Sequence, residues 1–148
     1  MTWMQEWPTG SAYIGADPDK GPQDIDFLRY VPEEYLYEHV NDLIHAGWDA
    51  CGTGYVAQTN DKWCAYRRGD ENLILCWCPL VYLRWVAFSE LAKLCGLVYK
   101  PDRIDMCKAV LEGDVEAARN IVLRSDFNAL ARSLMKAYRS ECRGGVAQ

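Results

Sequence analysis

The chain has 148 residues, of which half are apolar and a quarter are charged, and its net charge is −5. These values are typical of one globular domain with a sizeable core, and they exclude a disordered chain or a collagen-like repeat. No apolar run approaches the ~20 residues that cross a bilayer, and the N-terminal residues lack a signal-peptide pattern. We therefore expect a cytoplasmic protein with no membrane partner.

The first third of the chain predicts a turn-rich segment, one strand and one helix. Residues 9–23 are rich in glycine, proline and aspartate, which predicts loop and turn. Residues 24–31 predict a short strand that begins with two acids, and the apolar spacing of residues 33–46 predicts an amphipathic helix. The segment before Gly10 is too short and too rich in tryptophan to predict a strand. Trp3 and Trp7 are expected to be exposed there as anchors for a partner.

A β-meander is predicted next, with strand segments at 48–51, 55–59, 62–67 and 72–77. The last of these is a continuous apolar run, which is typical of a strand buried on both faces. Paired arginines at the hairpin end, Arg67 and Arg68, are expected to be solvated rather than to hold a phosphate.

The second half predicts helices. Residues 79–95 are apolar at nearly every position, so this helix should be the most buried one. A second helix begins at Pro101 and ends at Gly113, a third follows the capping residue Asp114, and Ser125 or Asp126 is expected to cap a final helix. Two apolar stripes are predicted, Ile104, Cys107, Val110 and Leu111 on the second helix and Phe127, Leu130, Ala131, Leu134 and Tyr138 on the last.

The predicted fold class is α+β, a small mixed sheet followed by a helical pack. We place an α+β core at residues 1–98 and a helical extension packed on it at residues 99–148, as one compact unit. The seven cysteines are an odd number, which predicts reduced thiols. The spacing of Cys76 and Cys78 is tighter than that of zinc knuckles, which argues against a metal site. Because residues two apart on a strand share a face, both thiols are expected to be buried as small apolar side chains.

Charge is divided unevenly along the chain. Residues 119–148 carry six basic and two acidic side chains, or +4, which leaves −9 on residues 1–118 of the total of −5. This division argues against duplex DNA, whose phosphates need a broad cationic face. The basic side chains of the C-terminal helix could contact RNA, an acidic partner or only water. Of these interpretations, a helix face exposed to water is favoured.

The most informative motif is Gly10-Ser11, twelve further residues, and then Asp24-Ile25-Asp26. Carboxylates two apart on a strand project from the same face, so Asp24 and Asp26 can hold Mg²⁺ between them. A glycine-serine turn can offer backbone N–H groups to a triphosphate. Phosphoryl and nucleotidyl transfer need these two parts, because the reaction depends on positioning and charge neutralisation. In the alternative interpretation, Gly10-Ser11 is an ordinary turn, Asp24 is the polar first residue of a strand, and Asp26 pairs with Arg29.

With this motif the sequence resembles the nucleotidyltransferase superfamily of the DNA polymerase β-like fold. Residues 22–27, 45–48, 71–75, 100–104 and 108–113 are similar to small phage-encoded proteins described as nucleotidyltransferase-like, and the resemblance covers residues 9–113. It implies that Gly10 and Ser11 contact the phosphates of an NTP substrate and that Asp24 and Asp26 ligate Mg²⁺. The acceptor would be a protein, an RNA or a small molecule.

The resemblance also implies a third carboxylate on a later strand, where this chain has Asn72. Asparagine is a poorer ligand for a hard cation than a carboxylate. Glu71 would need a β-bulge to point to the same face. Two functions therefore stay open. One is a metal-dependent nucleotidyltransferase, and the other is a degenerate phage protein that binds and inhibits a host defence or polymerase protein.

Overall fold

The computed structural model describes residues 5–15 and 24–146. Five strands form one mixed sheet, and helices cover both of its faces. The α+β class is confirmed, with the sheet in the first half of the chain and three successive helices in the second.

The sheet has the strand order β1-β2-β5-β4-β3. Its strands are β1 (Gln5–Thr9), β2 (Ile25–Tyr30), β3 (Asp49–Tyr55), β4 (Lys62–Arg68) and β5 (Glu71–Cys76). The central pair, β2 and β5, is parallel, and the other three pairs are antiparallel. The connection between β2 and β5 passes through a helix and the β3–β4 hairpin, so residues 46 apart in sequence become neighbours at the centre of the sheet.

The helices are α1 (Gly10–Ile14), α2 (Glu33–His45), α3 (Pro79–Leu94), α4 (Lys100–Leu111) and α5 (Val115–Val146). The core lies on both faces of the sheet. Side chains of α2 pack with one cluster that includes Leu43, Leu73 and Leu75. Side chains of α3, α4 and the first turns of α5 form the larger cluster on the opposite face.

Two predictions for the N-terminal residues are wrong. Residues 5–9 form strand β1, where no strand was predicted. Trp7 lies in this strand with its indole Nε1 donating to Glu90 Oε1 at 2.9 Å, and its side chain is exposed as expected. Backbone pairing with β2 and this hydrogen bond to α3 stabilise β1 although the strand has few apolar side chains. Part of the predicted loop, Gly10–Ile14, is helix α1, while residues 16–23 and Trp3 lie outside the described residues.

The predicted break in the third strand is also wrong. β3 continues from Asp49 through both glycines to Tyr55, and residues 57–59 form a turn instead of a strand. A register shift lies between Ala50 and Gly52, and Gly54 leaves room for the indole of Trp63, since a Cβ there would lie 2.3 Å from the ring. The glycines make close contact with a neighbouring strand; they do not end this one.

The helical half differs from the prediction in three places. Cys76 is buried in β5, but Cys78 directly precedes α3 and does not share a strand face with it. Ile104 is exposed on α4, where Met106 and Ala109 are buried instead. No helix begins at Ser125 or Asp126, because α5 is one continuous helix with no proline or glycine before residue 144, and the predicted stripe from Phe127 to Tyr138 is exposed.

Candidate functional site

Four polar side chains lie side by side across the sheet, at one end of its central strands. Thr9 of β1 pairs with Asp26 of β2, Asp26 pairs with Asn72 of β5, and Asn72 pairs with Arg67 of β4. Residues that are directly opposite on neighbouring strands project from the same face. We call these four residues the polar row, and the structure therefore brings Asp26 next to the position that was predicted for a third carboxylate.

Asp26 is the centre of the polar row. It is half-buried, and its Oδ1 accepts a hydrogen bond from Asn72 Nδ2 at 2.9 Å. Burial raises the pKa of this carboxyl, against the opposing effect of the Asn72 hydrogen bond, and the charge of Asp24 raises it further. The charges of Arg67 and Arg103 lower it by smaller amounts.

Gly10 lies against Asp26 at the start of α1. A Cβ on Gly10 would lie 2.0 Å from Asp26 Oδ2, and the backbone of Gly10 has a φ of +73°. Only glycine fits both the contact and the backbone conformation. The structure thus brings together Gly10, Ser11 and Asp26, the two halves of the motif, with Ser11 half-buried in the first turn of the same helix.

Asp24 is paired with an arginine. Arg67 Nη2 lies 2.6 Å from Asp24 Oδ2, and the Nε of the same guanidinium donates to the carbonyl of Gly69 at 3.1 Å. Arg67 is therefore not simply solvated as expected, while Arg68 stacks on the ring of Trp48 on the other face of the sheet. The arginine places a positive charge where the resemblance implies a metal ion.

Asn72, and not a neighbouring acid, occupies the third position. β5 pairs in unbroken register with both β2 and β4, with no bulge at Glu71. Glu71 therefore projects from the opposite face, next to Ile25 and Arg68. The alternative pairing of Asp26 with Arg29 is not formed either, because Arg29 makes its ion pair with Glu6.

Arg103 is the member of this site that the sequence did not reveal. It lies on α4, is buried, and donates to the carbonyls of Leu97 and Val98, and its positive charge lowers the pKa of Asp26. It is 77 residues beyond Asp26 and belongs to no recognisable motif, so only the packing of α4 on α3 brings its charge there.

The donor set does not fit the two-metal clamp that the resemblance implies. Three carboxylates converging within ~4–6 Å would be needed to share two cations. This site has two carboxylates, of which one accepts an amide N–H and the other accepts a guanidinium N–H. Among residues 5–15 and 24–146, no group of three or more histidine, cysteine or acidic side chains is placed to hold a metal ion.

A separate cavity of about 420 Å³ lies at the other end of the same sheet face. Its apolar wall includes Tyr55, Trp63 and Trp85, and the two indoles meet edge to face at 5.2 Å. Trp63 pairs with Cys76 at the far end of β5 from Asn72, so the cavity is not part of the polar row.

Comparison with known proteins found no matching family model, no matching curated protein and no matching solved structure. Within the described part of the chain, no helix has the length and apolar character needed to cross a bilayer.

Proposed function

We propose that this chain is a nucleotidyltransferase-like protein that no longer transfers nucleotides and acts by binding another molecule. Three features support the likeness. Gly10-Ser11 directly follows the first strand, Asp24 and Asp26 lie at the start of an antiparallel second strand, and a third polar position lies in register on a parallel strand. These are the parts that the resemblance names, and they meet at one end of the sheet.

The hydrogen bond from Asn72 to Asp26 is the observation that carries the proposed loss of transfer. One oxygen of Asp26 accepts the N–H of Asn72 in this bond. The neutral amide of Asn72 takes the place of the negatively charged carboxylate that would activate an attacking hydroxyl. The Arg67–Asp24 ion pair adds to this, because a guanidinium neutralises one of the two acids. A fixed arginine supplies positive charge without the open coordination positions of a metal ion.

The test combines metal binding with nucleotide transfer. Asn72→Asp together with Arg67→Gln would present three carboxylates without the competing cation, so we expect Mg²⁺ and Mn²⁺ affinity to rise at least about tenfold over the native chain. Isothermal titration with each metal and each NTP measures this. The matched control is Arg68→Gln, which removes the neighbouring charge on the opposite sheet face and should leave metal affinity unchanged.

Transfer itself is followed with labelled NTPs and Mg²⁺ or Mn²⁺. We expect the native chain to label neither itself nor added RNA. Transfer by the native chain that disappears in the Asp24→Asn, Asp26→Asn variant would overturn the proposed loss of activity and favour the enzyme.

The binding role is supported by the surface outside the polar row. Large apolar side chains are exposed on one side of α2, including Tyr37 and Ile44, and exposed apolar surface of this kind is typical of an interaction site. The proposed partner class is a protein, and a host defence or polymerase protein stays a prediction. RNA binding by the basic residues of α5 also stays a prediction.

A further inference from the structure

Two helices each carry an exposed apolar stripe. The α3 stripe consists of Leu80, Leu83, Ala87, Leu91 and Leu94, and the α5 stripe consists of Leu123, Phe127, Leu130, Leu134 and Tyr138. Both follow the three-and-four spacing that places side chains on one side of a helix. Leu94 is 83% exposed and Phe127 is 70% exposed, so neither stripe is covered by the described residues.

The α5 stripe faces away from the body of the protein. The opposite side of α5 packs on the rest of the chain through Ile121 and Ser125, which are buried, and through Arg124, which pairs with Asp102 of α4. Arg132 stacks on Tyr99 further along α5. Because α5 is continuous over 32 residues, or ~48 Å, its stripe cannot turn back onto α3 of the same chain.

The two stripes match one another in length. The α3 stripe spans ~21 Å and the α5 stripe ~22 Å at 1.5 Å per residue. Pairing the α5 stripe only with its own copy would leave the α3 stripe uncovered.

We propose that the α5 stripe of one copy of this chain packs on the α3 stripe of a second copy, and that the second copy returns the same contact. This is a closed two-fold dimer with two equivalent helix–helix contacts. The exposed side chains in both contacts amount to roughly 2,000 Å², which is within the range of stable protein–protein interfaces. The stripes lie outside the polar row, so this proposal stands or fails independently of the proposed function.

The test measures the molecular mass of the full chain by analytical ultracentrifugation between about 1 and 100 µM. We expect a dimer in the native protein. Leu83→Ser with Leu94→Ser removes the α3 stripe, and Phe127→Ser with Leu134→Ser removes the α5 stripe. Each pair should weaken the dimer about 100-fold or more, because large apolar anchors dominate such interfaces. All four side chains are exposed, and circular dichroism checks that the variants fold.

A mixing experiment separates this arrangement from other dimers. Equal amounts of the α3-stripe variant and the α5-stripe variant leave one native contact per mixed pair, so the dimer should partly reappear. The control is Tyr37→Ser, which removes an 85% exposed side chain from α2, outside both stripes, and should have no effect. A monomeric native chain at 100 µM, or an α3-stripe variant that dimerises as well as the native chain, would overturn the proposal.

Discussion

Gly10 lies directly against Asp26 of the polar row, with no space for a Cβ. This contact fixes the start of α1 against the carboxylate at the start of β2, although the two residues are sixteen positions apart in the sequence. The glycine in the motif is therefore required by geometry whether or not a nucleotide binds.

Replacing this glycine tests that requirement. Gly10→Ala should lower the free energy of unfolding by more than about 2 kcal/mol, because it adds a clash with Asp26 to the cost of a positive φ. Urea unfolding measures the change. Gly69→Ala is the matched control, since Gly69 has a φ of +62° but no atom within 4 Å of a Cβ, and it should cost only about 1 kcal/mol. If the two variants lost equal free energy of unfolding, the contact with Asp26 would not contribute to stability.

The ionisation of Asp26 gives a second prediction. Burial raises its pKa in the folded chain, so between the unfolded and folded values the folded chain binds more protons. The contribution of this group to stability therefore falls as pH rises through that interval. Asp26→Asn keeps an acceptor for Asn72 and removes the buried charge, so its Tm should exceed that of the native chain at pH 7.

Thermal unfolding at a series of pH values measures this difference. It should disappear near pH 3, where Asp26 is protonated in both states. A variant that is less stable than the native chain at pH 7 would mean that the charges of Arg67 and Arg103 outweigh the burial of the carboxylate.

Among the elements, α5 differs most from its prediction from sequence. The cap at Asp114 is confirmed, since its Oδ1 accepts from the N–H of Ala117 at 3.0 Å. The similar pattern at Ser125-Asp126 does not begin a helix. A capping residue satisfies free N–H groups, but inside a continuous helix those groups already have partners, and the local sequence cannot distinguish the two cases.

This contrast can be measured with two aspartate variants. Asp114→Ala should lower the free energy of unfolding by about 1 kcal/mol, because the N–H of Ala117 at the start of α5 loses its side-chain acceptor. Asp126→Ala should change it by less than about 0.5 kcal/mol. A larger loss for Asp126→Ala would indicate that α5 is divided there in solution.

For the whole molecule, the burial of cysteines predicts a pattern of thiol reactivity. Burial raises the pKa of Cys76 and of Cys107 to about 12, so almost no thiolate is present at neutral pH. Cys51 and Cys142 are exposed. We expect iodoacetamide at pH 8 to modify these two first, and to modify the fully buried Cys76 only after unfolding.

Peptide mass spectrometry during a time course of alkylation follows each thiol. Addition of denaturant should remove the difference in rate, and the Cys51→Ser, Cys142→Ser variant should show no fast phase. Rapid modification of Cys76 in the native chain would contradict its burial in β5.

Much of the fold followed from local pattern. The strand after Asp24, the helix from Glu33 and the apolar helix from Pro79 were predicted with nearly correct ends, because periodicity and turn residues determine them locally. β1 was missed because its stability comes from pairing with β2 and from the hydrogen bond between Trp7 and Glu90.

The site was predictable in composition but not in its charge balance. Gly10, Asp24 and Asp26 could be named because they form a motif with a plausible spacing, and Asn72 could be named because the resemblance implies a third carboxylate on that strand. The ion pair of Arg67 with Asp24 and the influence of Arg103 on Asp26 depend on sheet register and on helix packing. No pattern in a single sequence encodes contacts across such distances.

The parallel pairing of β2 with β5 has a consequence during synthesis. When Asp26 has left the ribosome, only β1 is available to pair with it, because α2 and the β3–β4 hairpin are made before Asn72 appears. Closing this long connection is entropically slow compared with forming the local hairpins. A ligand that recognises the paired Asp26 and Asn72 can therefore bind only after the fifth strand has been translated. A truncated product that ends before this strand would not bind it.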